Sequence, residues 1–285
     1  MLQSGVTPMS LFITSLNSGS NGNCYYIGSE EEAVLIDAGI SCRETEKRMK
    51  RLNLSMKKVK AIFVSHEHSD HITGIPILAK KYQLPVYITD GTKVHVKFLE
   101  QHLIIPFHAY VPVQIGALSI TAFPKYHDAC DPHSFIVTSS AAKVGIFTDI
   151  GFACEQVIHH FRQCHAAFLE SNYDEEMLRT GNYPYHLKKR ISGGRGHLSN
   201  VQALELVLSH KPPFMSHLLL SHLSKNNNCP DLVFKLFSQH VNNTKIIVAS
   251  RYEETPVYFI TGKTEDHIPA RKVFTKPVQL QLSLF

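Results

Sequence analysis

Ala61-Ile62-Phe63-Val64-Ser65-His66-Glu67-His68-Ser69-Asp70-His71 is the stretch on which the reading of this chain turns. Its first four residues are apolar, with β-branched and aromatic side chains, and read as a buried strand. Three imidazoles and Asp70 follow, and then an apolar helical pattern runs from Ile72 to Tyr82. In extended chain, side chains two apart point the same way, so His66 and His68 face one point. Asp70 and His71, at the start of the next helix, face a second point nearby. Imidazole and carboxylate are donors for divalent transition metals. The spacing differs from the His-Glu-x-x-His helix of metalloproteases, because position 70 is Asp.

Outward from this stretch, strands are expected at Leu11–Leu16, Cys24–Ile27 and Ala33–Ile36, the last ending in Asp37-Ala38-Gly39. Residues 17–23, Asn-Ser-Gly-Ser-Asn-Gly-Asn, are dense in turn formers and read as a hairpin connection. Ser41 is placed to cap a helix over about 42–54. Downstream, the patterns predict strands at Val86–Thr89, Tyr110–Ile115, Leu118–Phe123, Ser134–Thr138, Val144–Thr148 and Ala166–Leu169, with helices over Thr92–Glu100 and 153–162. The polar, basic segment 171–196 reads as an inserted loop or arm. Beyond it come helices at Asn200–Ser209 and Pro230–His240, and strands at His217–Leu220, Lys245–Ala249 and Val257–Ile260. Many short strands with interspersed helices favour an α/β (α+β) protein built as a four-layer αββα sandwich over a doubly wound parallel sheet. One domain is expected over 11–265, preceded by a disordered extension over 1–10 and followed by a tail over 266–285.

The 285 residues are 44% hydrophobic, enough for a full core, and no apolar run approaches the roughly 18 residues of a membrane span. Residues 1–10 contain no Lys or Arg and no apolar run, unlike a secretory signal. The six cysteines form no Cys-x-x-Cys pair and read as reduced thiols, so a cytoplasmic location is expected. A formal charge of +5 permits an anionic partner without requiring one. The unusual count is 18 histidines, several in acidic company.

His-x-His-x-Asp-His after a strand resembles the signature of the metallo-β-lactamase superfamily, whose fold is the αββα sandwich. The resemblance extends to three later positions, each closing an apolar strand. These are His127 in Phe-Pro-Lys-Tyr-His-Asp, Asp149 in Ile-Phe-Thr-Asp-Ile-Gly, and His222 in Leu-Leu-Leu-Ser-His-Leu-Ser. It implies His66, His68 and His127 on one ion, Asp70, His71 and His222 on another, and Asp149 bridging both; His133 is a second candidate for the role of His127. Asp37 is expected to orient the histidine loop from behind. Such a pair of ions clamps the attacking and leaving oxygens of a displacement and makes a bridging hydroxide near neutral pH. Zn²⁺, Mn²⁺ and Fe²⁺ all suit these ligands.

Glu170, closing a strand, and His197 in Gly-His-Leu-Ser-Asn resemble a pair in tRNase Z-type nucleases, where a glutamate orients the histidine that protonates the leaving oxygen. A phosphodiester needs that acid because its alkoxide leaves poorly. Asp70 is counted with Glu170 and His197 in the catalytic set. The chain from Leu16 to about His240 resembles the YycJ/WalJ family: Ser-Gly-Ser-Asn-Gly-Asn at 18–23, the histidine loop, Glu170-Ser171-Asn172, 196–200, and His222-Leu223-Ser224-Lys225-Asn226-Asn227. This implies a 5′-to-3′ exonuclease acting on DNA, more than on RNA, with a place in repair. At position 173 the chain has Tyr where the family commonly has His. A thioester hydrolase of the glyoxalase II type and an RNA-processing nuclease are the alternatives that share the metal motif. Lys188, Lys189, Arg190 and Arg195 are candidates for gripping backbone phosphates, and Tyr183 and Tyr185 for stacking on an unpaired base.

Overall fold

The computed structural model describes residues 9–97 and 99–262. Most of the extension predicted over 1–10, and the whole tail over 266–285, lie outside the described residues. Met9 is described, and its N–H donates to Ser140 Oγ at 2.9 Å.

The chain runs β1 (Leu11–Asn17), β2 (Cys24–Gly28), β3 (Ala33–Ile36), α1 (Cys42–Arg51), β4 (Val59–Phe63), α2 (Ser69–Ile72), α3 (Ile75–Tyr82), β5 (Val86–Ile88), α4 (Asp90–Lys93) and β6 (Ile104–Pro106). It continues through β7 (Val113–Ile115), β8 (Leu118–Pro124), β9 (His133–Thr138), β10 (Lys143–Phe147), α5 (Glu155–Phe161), β11 (Ala166–Glu170), α6 (Glu175–Thr180) and α7 (Tyr185–Ser192). Then come α8 (Asn200–His210), β12 (His217–Ser221), α9 (Pro230–His240), β13 (Lys245–Val248) and β14 (Tyr258–Ile260).

Two seven-stranded sheets result, ordered β14-β1-β2-β3-β4-β5-β6 and β13-β12-β11-β10-β9-β8-β7. In each sheet an antiparallel half passes into a parallel one. β1, β2 and β3 pair antiparallel and β3, β4, β5 and β6 pair parallel. Likewise β8, β9 and β10 pair antiparallel and β10, β11, β12 and β13 pair parallel.

Alternation along the strands divides the apolar residues between two faces. Ile13, Val34, Phe63, Phe135, Ile146 and Phe168 fill the space between the sheets. Leu35, Ile62 and Val64 face outward with Met49 of α1 and Leu78 of α3. Phe147, Leu169 and Leu220 meet Phe161 of α5, Val207 of α8 and Phe237 of α9. Burying each large side chain contributes about 1.5–3 kcal/mol. The layers are helix, sheet, sheet, helix, which is the expected sandwich.

Three expectations need correction. The helix over Thr92–Glu100 is only the four-residue α4, capped by Thr89. Val94 and Val96 are poor helix formers, and the chain passes instead to a 3₁₀ turn at Gln101–Leu103. The helix from Ile72 to Tyr82 is broken at Thr73-Gly74, where Pro76 opens α3. The arm over 171–196 is not a loop, for it carries α6, capped by the Asp174 side chain on the N–H of Met177, and α7. No residue of α7 is buried, and Leu187 and Ile191 give its sequence only a short apolar face from which to predict a helix.

Candidate metal centre

The site lies where the C-terminal ends of the strands of both sheets meet. Asp37, Asp149 and His222 follow β3, β10 and β12, and each adopts left-handed backbone, with φ of 60°, 55° and 57°. Such a conformation costs a non-glycine residue about 1–3 kcal/mol and persists where the surroundings enforce it, commonly at functional sites. It turns the chain sharply at the strand end.

The histidine loop is clamped from behind. Asp37, fully buried, accepts from the Ser65 N–H at 2.8 Å, the Ser65 hydroxyl at 2.7 Å and His71 Nδ1 at 2.7 Å. The Ser65 hydroxyl accepts in turn from His66 Nδ1 at 2.9 Å. His127 Nδ1 donates to the Gly196 carbonyl at 3.1 Å. With these nitrogens engaged, Nε2 of His66, His71 and His127 is left to face the cleft. Gly39 packs so closely that a Cβ there would lie 1.7 Å from the Asp70 carbonyl oxygen.

The ligand atoms converge in two groups, each within 4.8 Å: His66, His68 and His127 in one, and Asp70, His71 and His222 in the other. His68 presents Nδ1, 3.1 Å from His66 Nε2 and 3.3 Å from His127 Nε2. Asp70 Oδ2 lies 3.5 Å from His71 Nε2 and 3.3 Å from His222 Nε2. Asp149 stands between the groups, with Oδ2 3.3 Å from His71 Nε2 and Oδ1 3.5 Å from His222 Nε2 and 3.9 Å from His127 Nε2. His133 is elsewhere, donating to the Asp131 carbonyl and edge-on to Phe107.

The residues fit a bound cation. Asp149 Oδ2 is buried and makes no well-formed hydrogen bond, its neighbour His71 Nε2 standing 3.3 Å away, a state that costs free energy unless an ion meets it more closely. Burial alone lowers the pKa of His71 and His222. The surrounding carboxylates outweigh it, holding His71 well above its ordinary range through Asp149, Asp70 and Asp37. His222 is raised to about 10 through Asp149, Asp70 and Glu170. This concentration of buried anions, with neutral imidazoles opposite, is the donor set of a divalent metal. On the other side, burial lowers His66 well below its ordinary value and His127 to about 4, leaving both neutral for ligation.

Beside the cluster, Glu170 Oε1 accepts from His197 Nδ1 at 2.7 Å. Its other oxygen accepts from the N–H groups of Ile150 at 2.8 Å and Leu198 at 3.3 Å. Burial disfavours the charged carboxylate, but His197 and His222 outweigh it and lower its pKa to about 2. His197 is 20% exposed, and it lines a cleft of about 370 Å³ with Asp70, Asp149, His222, Tyr183 and Arg190. Glu170 also contacts a proposed ligand, for its Oε1 lies 3.2 Å from His222 Nδ1.

The basic candidates divide. Arg190 reaches the cleft and pairs with Asp128. Lys188, Lys189 and Tyr185 line a neighbouring groove, with Lys189 Nζ 5.0 Å from the centre of the Tyr185 ring. Arg195 is exposed and lines neither.

Several contributors were not singled out in the sequence. Asn23 Nδ2 donates to Asp70 Oδ2 at 3.1 Å, and its backbone N–H donates to the Asp70 carbonyl at 2.6 Å. The Ser18 hydroxyl accepts from the His222 N–H at 2.7 Å, and Asn172 Nδ2 donates to the His222 carbonyl at 2.8 Å. The run at 18–23 was readable as a turn and a family motif, but nothing local says that it reaches Asp70 and His222. Lys125, buried, donates to the Thr148 carbonyl at 2.8 Å next to Asp149.

The family described as "Beta-lactamase superfamily domain" matches residues 32–222, a span holding every proposed ligand. Exodeoxyribonuclease YycJ of Bacillus anthracis is 34% identical over 251 residues, 86% of this chain and 94% of that protein. Exodeoxyribonuclease WalJ of Streptococcus pneumoniae serotype 2 is 30% identical over 226 residues, 76% of this chain and 83% of that protein. The solved structure of human tRNase Z, short form, matches with a TM-score of 0.61 at 14% identity, covering 86% of this chain and 98% of its own, which is a likeness of fold. The signature stretch, the two-sheet sandwich and these relatives agree: the chain belongs to the metallo-β-lactamase superfamily and, within it, to the YycJ/WalJ family.

Proposed function

We propose that this chain is a metal-dependent phosphodiesterase that shortens DNA from its 5′ end, acting in the cytoplasm. The observation that carries the reading is the Glu170–His197 pair, joined at 2.7 Å and opening on the cleft beside the seven-residue cluster. A thioester needs no such proton donor, whereas a sugar alkoxide does. The name borne by both relatives, exodeoxyribonuclease, supports DNA as the substrate.

Two divalent ions, Zn²⁺ or Mn²⁺ with Fe²⁺ also suited, would be held by His66, His68 and His127 and by Asp70, His71 and His222, with Asp149 shared; they supply Lewis acidity and hydroxide near neutral pH. The protein's own part is orientation and proton transfer. Glu170 keeps the Nδ1 proton of His197 in place, so the Nε2 proton is the one delivered to the departing sugar oxygen. The N–H groups of Ile150 and Leu198 hold Glu170 in place. Arg190 can exchange Asp128 for a backbone phosphate, with Lys188, Lys189 and Arg195 farther along the arm. Tyr183, in the cleft, is placed to meet a base.

The test is digestion of 5′-labelled and 3′-labelled DNA and RNA with each metal in turn. Release of the 5′ label as mononucleotide, with a descending ladder from 3′-labelled DNA, is the expected result. Shortening of RNA alone would make the protein an RNA-processing enzyme. Turnover of S-lactoylglutathione without cleavage of either nucleic acid would make it a thioesterase.

A further inference from the structure

We infer that Glu67, His95 and Cys130 form a third divalent-ion site, outside the main centre, that ties together the two loops carrying His66, His68 and His127. The three residues come from separate segments: the histidine loop, the chain just after α4, and the β8–β9 connection. Their ligand atoms nevertheless lie within 4.8 Å of one another. Cys130 Sγ is 3.3 Å from His95 Nε2, and the Cys130 N–H donates to Glu67 Oε1 at 2.8 Å. Glu67 Oε2 is buried with no hydrogen-bond partner, while Oε1 is held by the Cys130 N–H.

The two segments that carry His95 and Cys130 also pack on each other nearby. Gly91 of α4 packs on the β8–β9 connection so closely that a Cβ there would lie 2.9 Å from Asp131 Cβ. That contact holds the segment leading to His95 against the one bearing Cys130.

Thiolate, imidazole and carboxylate together select a borderline-soft ion such as Zn²⁺. His95 and Cys130 are exposed, which leaves a further coordination position to solvent. On binding, the thiol releases its proton to water and ligates as thiolate. Glu67 lies between His66 and His68, and Cys130 three residues after His127, so an ion here cross-links both loops of the first ligand group.

The main centre contains no sulfur, and this makes the test selective. Intact protein titrated with Co²⁺ alone should bind one ion beyond those of the main centre and develop a thiolate-to-cobalt charge-transfer band in the near ultraviolet. Cys130→Ser should lose the band and one ion while keeping the visible bands of the cobalt held by the other ligands. His95→Ala, at an exposed position, should fold normally and bind the extra ion more weakly. Absence of the band in saturated wild-type protein, its survival in Cys130→Ser, or unchanged affinity in His95→Ala would each overturn the site. None of these readouts depends on nuclease activity.

Discussion

Glu170 bears on two imidazoles at once, 2.7 Å from His197 Nδ1 and 3.2 Å from His222 Nδ1 through one oxygen. The two variants that probe this pair should therefore differ. His197→Ala should leave metal content intact and slow cleavage by roughly 10²–10⁴-fold, the usual worth of a positioned general acid. Bis-p-nitrophenyl phosphate, whose leaving group needs little protonation, should be far less affected. Equal slowing of both substrates, or loss of an ion, would make His197 a ligand or a structural residue. Glu170→Gln removes the charge that also steadies His222. It should slow cleavage and weaken one metal position as well, read by elemental analysis beside the rates. Full occupancy with full activity in this variant would remove Glu170 from the site. The sequence disclosed Glu170 as a partner of His197 because both sit in recognisable motifs. It could not disclose the second contact, which depends on β11 and β12 lying side by side.

At the scale of the element, the strand ends decide the site. The candidate ligands were legible because each follows an apolar strand, and that signal is local. The arm was not, because α6 buries only Leu178 and α7 buries nothing, so neither carries a strong apolar stripe. Asn23 escaped because its partner Asp70 lies on a distant loop. Asp149 offers a direct test of strand-end strain. Asp149→Ala and Asp149→Gly should both lower occupancy of both metal positions. In chelator-treated protein the glycine variant should be the more stable by about 1–2 kcal/mol, because left-handed backbone penalises every side chain but glycine's. Equal denaturant midpoints would show that the turn after β10 is not strained.

Across the whole molecule, half-buried imidazoles away from the cleft add to its sensitivity to acid. Burial, helped by His159 and Lys143, lowers the pKa of His160 to about 4, with its ring stacked 4.2 Å from Phe123. Burial, helped by Lys245, does the same for His217, also to about 4. Both pKa values are depressed relative to the unfolded chain, which binds protons from about pH 6.5 downward. Their stabilising effect is complete above that pH and is lost as pH falls toward 4. A His160→Phe, His217→Phe variant should lose less stability than wild type between pH 6.5 and 4, measured by denaturant unfolding at matched pH. Parallel losses would assign the acid sensitivity to other groups.

The likeness of the two sheets reaches further than packing. Three antiparallel strands followed by three parallel crossovers occur once in β1–β6 and again in β8–β13. The third strand of each set leads into an aspartate with left-handed backbone, Asp37 after β3 and Asp149 after β10. The molecule thus repeats one six-strand layout, each copy placing an aspartate at the end of its third strand. The two aspartates serve different ends, Asp37 bracing the histidine loop from behind and Asp149 standing between the two groups of candidate ligands.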